Sequence, residues 1–268
     1  MKLNFNKRYS YQKFDYFVSD NEANIINLFK ANEENELEDI FNLIIKESNS
    51  YTDPPFNSVK KLTLYIRRNR NSNEMIINKV IELLKNISNV NMIINIVNTM
   101  LDLVTEGRNH HLSNLIDILI KKLDNMPHTL SISIEKIVNI IGDLIKLDNI
   151  SIQKYIEGVI NKIISTLTKY NEQKNAIKEN AKFYCILLLS KIIENCSLFA
   201  YNILTKEENF QKFEKIIKNL KDPKLVVRYA VGELIKQFTH ILKDRDYESK
   251  TKYQVLIFDI LFSEYRNH

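Results

Sequence analysis

The chain of 268 residues contains four glycines, four prolines and no tryptophan. An α/β enzyme of this length uses many more glycines, for strand-to-helix turns and phosphate loops. A β-sandwich needs turn residues every eight to twelve positions, and they are not there. Gly107, Gly142, Gly158 and Gly232 are too widely scattered to cradle a phosphate. No apolar run approaches the ~20 residues of a membrane span. There are two cysteines, Cys185 and Cys196, eleven residues apart in one apolar segment. On a helix they lie roughly 16 Å apart, too far for a disulfide. Two buried, reduced thiols and a polar N-terminus with no signal peptide predict a cytoplasmic protein, with nuclear or peripheral endomembrane association left open. The Asn-x-Ser triplets at Asn86, Asn149 and Asn195 are then chance matches.

What is present is helical period. Apolar residues recur at spacings of three and four along nearly the whole chain. Residues 1–20 are the exception and read as an irregular arm. Helices are predicted near 21–30, 36–48, 56–69, 73–86, 90–105, 110–124, 131–147, 152–169, 177–195, 207–220, 224–243 and 248–265. Asp53-Pro54-Pro55, Met126-Pro127-His128 and Lys221-Asp222-Pro223 break the pattern, because proline cannot continue a helix but favours a new start. Gly107 closes another segment, and Ser131 is a candidate N-cap.

The segments pair. Marker helices starting near 56, 90, 131, 177 and 224 are separated by roughly 34, 41, 46 and 47 residues, mostly close to the period of HEAT and armadillo repeats. A two-helix unit has too little inward apolar surface to stand alone, so neighbours must stack. The expected fold is all-α, an α-solenoid of about five helical hairpins over residues 21–268. Leu220 to Val231 has the HEAT form: Asp222-Pro223 enters a helix, and Arg228 follows six residues later. Asp222 is expected to cap the helix, Pro223 to occupy its first turn, and Asp222 and Arg228 to ladder between neighbouring units. These three residues are structural.

The last ninety residues carry a resemblance. Ala181-Lys182-Phe183-Tyr184-Cys185-Ile186-Leu187-Leu188-Leu189-Ser190-Lys191-Ile192-Ile193-Glu194-Asn195-Cys196 resembles a helix in the N-terminal HEAT array of the TOR (target of rapamycin) serine/threonine kinases. Ser197 to Tyr201 is similar to the short apolar segment that follows there. Asp222-Pro223 and Arg228-Tyr229-Ala230 match the next unit, and Leu242-Lys243-Asp244-Arg245-Asp246 sits where a charged stretch closes its helix. Tyr253, Phe258, Phe262 and Tyr265 follow as the family's aromatics do, and Ile134 to Leu144 is similar to an upstream helix ending in Gly-x-Leu. The sequence departs at Asn180-Ala181-Lys182, a weak version of a basic helix start, and at the charged insertion Thr205 to Asn209. The resemblance implies a scaffold that assembles the TOR complex and contacts Raptor-like or other regulatory subunits. The kinase domain of that family lies far toward its C-terminal end and is not in this chain.

Chemistry-bearing patterns are few. No kinase signature occurs, and the chain is expected to be neither an enzyme nor a binder of a cofactor or metal. His110-His111 are adjacent, so on a helix they point about 100° apart and do not share a metal; a surface pair at a helix start is expected. The acidic run Glu33 to Asp39 is expected at the front of a helix, complementing its dipole. Arg67, Arg68 and Arg70 form the basic cluster, a candidate contact for phosphate or an acidic partner. The net charge of +5 and the mixture of Tyr9, Tyr11, Phe14, Tyr16 and Phe17 with cations motivate an alternative function, a nucleic-acid-binding helical repeat of the translation-factor type. A continuous basic stripe favours that alternative, and a mixed-sign surface favours the scaffold. An importin-type adaptor expects a groove of regularly spaced tryptophans, and there is none.

Overall fold

The computed structural model describes residues 22–50, 56–69, 73–104, 109–126, 130–147, 152–172, 179–243 and 247–262. Among the described residues there are twelve α-helices and no strand. The aromatic arm, Asp53-Pro54-Pro55, Gly107, Pro127 and Arg70 lie outside them.

Helix α1 (Glu22–Ser48) is continuous, where two segments were expected. Residues 31–35 hold neither glycine nor proline, and Ala31, Glu33 and Glu34 sustain a helix. The acidic run therefore sits in mid-helix and fronts no helix. Leu37, Ile40 and Ile44 form its buried stripe. Helix α2 (Asn57–Arg68) follows, with Phe56 extended before it. Glu47 of α1 caps it: one carboxylate oxygen accepts the Ser58 amide at 3.2 Å and the Ser58 hydroxyl at 2.5 Å. That satisfies an unpaired first-turn N–H and sets a negative charge at the positive helix end.

Then come α3 (Asn73–Asn86), α4 (Val90–Val104), α5 (Asn109–Asn125) and α6 (Ser131–Leu147). Asn89 caps α4 by accepting the Met92 amide at 3.1 Å. Ser131, expected as a cap, is the first helical residue of α6. Helices α7 (Gln153–Glu172) and α8 (Glu179–Asn195) are followed by α9 (Ser197–Leu204), which lies in the stretch 196–206 where periodicity places no helix. The remainder is α10 (Glu207–Ile217) with a 3-10 turn at Lys218–Lys221, α11 (Leu225–Leu242) and α12 (Tyr247–Phe262). The charged stretch after α9 turns the chain, and the buried Asn209 ties it down by donating to the Ile203 carbonyl at 2.9 Å.

The packing is alternate. One row runs α2 on α4, α4 on α6, α6 on α8 and α8 on α11. On the other side α3 packs on α5, α7 on α10 and α10 on α12. Cross-row pairs α1–α2, α3–α4, α5–α6, α7–α8 and α10–α11 close each layer on the other. Helix α8 sits at the centre, and every residue from Phe183 to Ser190 is buried. A helix apolar on all sides has to be enclosed on all sides, and α5, α6, α7, α9 and α11 enclose it. Gly142 of α6 lets that seam close: a Cβ there would lie 3.2 Å from Asn195 Nδ2 and 3.5 Å from the Lys191 side chain.

Several polar side chains bond between helices at separations of 35 to 45 residues, while Tyr184–Asp124 and Tyr229–Glu135 span 60 and 94. Thr63 meets Thr99 at 3.2 Å, 36 residues on. Lys122 of α5 donates to the Lys85 and Ile87 carbonyls at 2.6 and 2.7 Å, 37 and 35 residues back, and so caps the C-terminal end of α3. Burial lowers the pKa of that ammonium below the usual lysine value. Lys136 reaches Asn91, 45 residues back, at 3.4 Å, and Tyr155 reaches Asp117, 38 back, at 2.7 Å.

Candidate interaction surfaces

Arg67 and Arg68 lie exposed in the last turn of α2. Arg68 Nη2 donates to Glu36 Oε1 of α1 at 2.6 Å. The cleft beside it, about 340 Å³, is lined by Glu36, Asp39, Lys61 and Arg68, two acids and two bases. The acidic run and the basic cluster, read separately in the sequence, thus face each other. Elsewhere Lys85–Glu82, Lys191–Glu194, Lys218–Glu214 and Lys236–Glu233 pair within single helices. Exposed pairs of this kind add little stability, but they show cations and anions interspersed.

The Asp222-Pro223 turn departs from expectation. Helix α11 begins at Leu225 with Lys224 at the N-cap, so Pro223 precedes the first turn. Asp222 Oδ1 accepts the Lys224 amide at 2.9 Å, which holds this stretch extended and delays the helix. Arg228 Nη1 donates to the Asp222 and Pro223 carbonyls at 2.7 and 3.0 Å, within its own turn. Asp222 takes its ion pair from elsewhere, from Lys182 of α8, forty residues back. The two side chains are only 9% and 13% exposed. Lys182 is the fourth residue of α8, as Arg228 is of α11. Lys182 lies in the stretch that reads as a weak basic start, so a modest sequence feature makes the buried ionic link between α8 and the turn before α11.

A cleft of about 390 Å³ lies between α5, α7 and α8, smaller than the more open groove of about 550 Å³ beside Phe41 and Leu83. Helices α5 and α7 do not close on each other as α3 and α5 do, and α8 forms the floor. Ile120, Val159, Ile163 and Leu188 supply apolar wall. Asp117 and Asp124 stand on the α5 side, Lys154 and Lys162 on the α7 side. Tyr155 of α7 donates its hydroxyl across the gap to Asp117 at 2.7 Å, and Tyr184 of α8 donates to Asp124. Burial, reinforced by these carboxylates, raises both phenol pKa values, so both hydroxyls stay protonated and act as donors. Gly158 opens onto the same cleft, and a Cβ there meets nothing within 4 Å.

Cys185 lines the cleft's inner end; burial pushes its thiol up to about 12. A thiol so raised is not a nucleophile at neutral pH. Cys196 is also a buried free thiol, raised to about 11 by burial. His111 is buried inside α5 rather than at the surface, where the histidine pair was expected. Among the described residues no three histidine, cysteine or carboxylate groups come together to hold a metal.

No known protein family, curated protein or solved structure matches this chain. The site residues follow from geometry alone. Sequence reading passed over Asp117, Tyr155, Gly158 and Lys162. The available signals were a glycine in mid-helix with no turn to make, and an Asp and a Tyr spaced near the repeat period.

Proposed function

We infer that the chain is a HEAT-type α-solenoid and serves as a non-catalytic scaffold for protein–protein interaction, in the manner of the N-terminal array of a TOR kinase. The recurrence of inter-helix polar bonds at 35 to 45 residues carries the solenoid part of this reading. Such a separation places equivalent side chains of neighbouring two-helix units beside each other, as stacking of repeats requires. The helices that pack in succession start at Asn57, Val90, Ser131, Glu179 and Leu225, close to the five marker starts.

The scaffold part draws support from the surface. Large apolar side chains stand exposed at Ile132 and Leu225, each one helical turn from Glu135 and Tyr229, which meet at 3.4 Å across α8. Phe258 and Phe262 are exposed and stacked on α12, 5.7 Å between centroids. Exposed apolar groups gathered in this way suit protein contacts. The interspersed charges run against the nucleic-acid alternative, which needs a stripe of one sign. Partners of the TOR-complex type, Raptor-like subunits included, follow from the resemblance.

The test is a pull-down of the tagged chain from its own cell extract, with and without nuclease, and identification of retained proteins by mass spectrometry. Nuclease-resistant recovery of a TOR-complex subunit supports this reading. Recovery that vanishes with nuclease overturns it in favour of nucleic-acid binding.

A further inference from the structure

We propose that the cleft between α5, α7 and α8 seats one amphipathic helix of a partner protein, its apolar face inward, its basic edge along α5 and its acidic edge along α7. The proposal rests on the scaffold reading and names the site and the partner's chemistry.

Three observations carry it. The first is space. A cleft of about 390 Å³ falls within the range of sites that accept a ligand, and its wall is mainly apolar. The second is Gly158. A glycine inside a helix weakens it, and a close neighbour is the usual structural reason to keep one. Gly142 has that reason, with atoms at 3.2 and 3.5 Å from the position of a Cβ, whereas Gly158 and Gly232 have none, and of these two Gly158 lines the cleft. At Gly158 the missing side chain leaves the mouth of the cleft open between Tyr155 and Lys162.

The third is the placement of charge. Asp117 and Asp124 are seven residues apart on α5, and Lys154 and Lys162 eight apart on α7. Each pair therefore spans two helical turns, roughly 10–12 Å. The two pairs stand on opposite sides of the cleft, which the Tyr155–Asp117 hydrogen bond crosses at one end. Tyr155 and Tyr184 fix the carboxylates by hydrogen bonds, and a carboxylate accepts several donors at once. A helix laid along the cleft presents charges at i and i+7 on each edge and apolar anchors between them. Arginines on one edge meet α5, and glutamates on the other meet α7. A nucleic acid would set phosphates against Asp117 and Asp124, and an anionic membrane surface would do the same.

The experiment is fluorescence anisotropy on the full chain with two labelled peptides of about four turns, each held helical by a side-chain bridge on its outer face. Both carry leucines along one face. One has arginines and glutamates on the edges the proposal assigns, and the other has those edges exchanged. The first should bind saturably to the wild type, and the exchanged peptide at least about tenfold more weakly. Gly158→Leu fills the cleft without meeting a neighbour at Cβ; it should cost the first peptide at least about tenfold in affinity while the thermal midpoint stays level or rises. Equal binding of both peptides, binding indifferent to Gly158→Leu, or no saturable binding of either overturns the proposal. So does an apolar dye, anilinonaphthalene sulfonate, that loses binding in Gly158→Leu while neither peptide binds, since the occupant is then a small molecule. Running Gly158→Leu through the extract pull-down separates the two readings. If it retains the wild-type partners resistant to nuclease, the scaffold stands and the cleft proposal falls. If neither protein retains partners, the scaffold reading fails and the peptide titration still decides the cleft.

Discussion

The seam between α6 and α8 and the gap between α5 and α7 each contain a glycine in mid-helix, and each glycine weakens its helix by about 0.5–1 kcal/mol relative to alanine. In the seam, that cost is offset by the close approach of α6 to the last turn of α8 around Asn195 and Lys191. In the gap nothing offsets it, because no atom comes near the Gly158 position. The same residue type thus marks a close approach between two helices in one place and an unfilled surface in the other. Composition treats the two glycines alike, and only the surrounding atoms tell them apart.

The largest effect is expected at the other end of α8 from the seam, at the ionic link to the turn before α11. Asp222→Ala leaves the Lys182 ammonium buried beside an uncharged turn and removes the acceptor for the Lys224 amide. Stability should fall by about 3 kcal/mol, read from urea unfolding at neutral pH. A loss below about 1 kcal/mol would mean the pair is as weak as an exposed one.

Gly142→Leu should come next. The added side chain must displace Asn195 and Lys191 or push α6 from α8, at about 1–3 kcal/mol. The same substitution at Gly158 should not destabilise at all. If both variants melt alike, the contrast between seam and gap is wrong.

A smaller effect comes from pH. Cys185, pushed up to about 12 by burial, keeps its proton in the folded protein. The unfolded thiol releases its proton near about pH 8.5. Above that value the unfolded state binds fewer protons than the folded one, so stability must fall as pH rises, and it is level below. The loss should reach about 1.4 kcal/mol per buried thiol near pH 9.5, and Cys185→Ala should remove about half of it, since burial also raises Cys196, to about 11. A wild-type profile already level from neutral pH to 9.5 would place Cys185 in contact with water.

The smallest effect is a gain. Gly158→Ala adds a methyl group to open space and should stabilise by about 0.5–1 kcal/mol. A loss instead would reveal a contact at the mouth of the cleft.

Much of the fold was legible. Helical period gave most of the helices to within a few residues, because proline and the polar turns punctuate it. Two helices escaped it for opposite reasons. Helix α1 holds together through residues 31–35 because polarity alone does not break a helix. Helix α9, at eight residues, is too short to show a clear period of its own, so periodicity places no helix between 195 and 207. The interaction surfaces were less legible. Arg68 was found as a cation, but its acid partner Glu36 lies 32 residues away on another helix. Arg228 was assigned a neighbour and turned to the Asp222 and Pro223 carbonyls, while Lys182 made the cross-link. The cleft is a volume between three helices, and no local spacing encodes an empty volume.

Lys122 has a consequence for how α3 and α5 come apart. The carbonyls that end α3 are held by a side chain of α5. Helix ends ordinarily fray first, each on its own. Here the last turn of α3 is released only when Lys122 lets go. Amide protons near that terminus should therefore exchange with solvent at the pace of α5, so that hydrogen exchange reports the two neighbours opening as a single event.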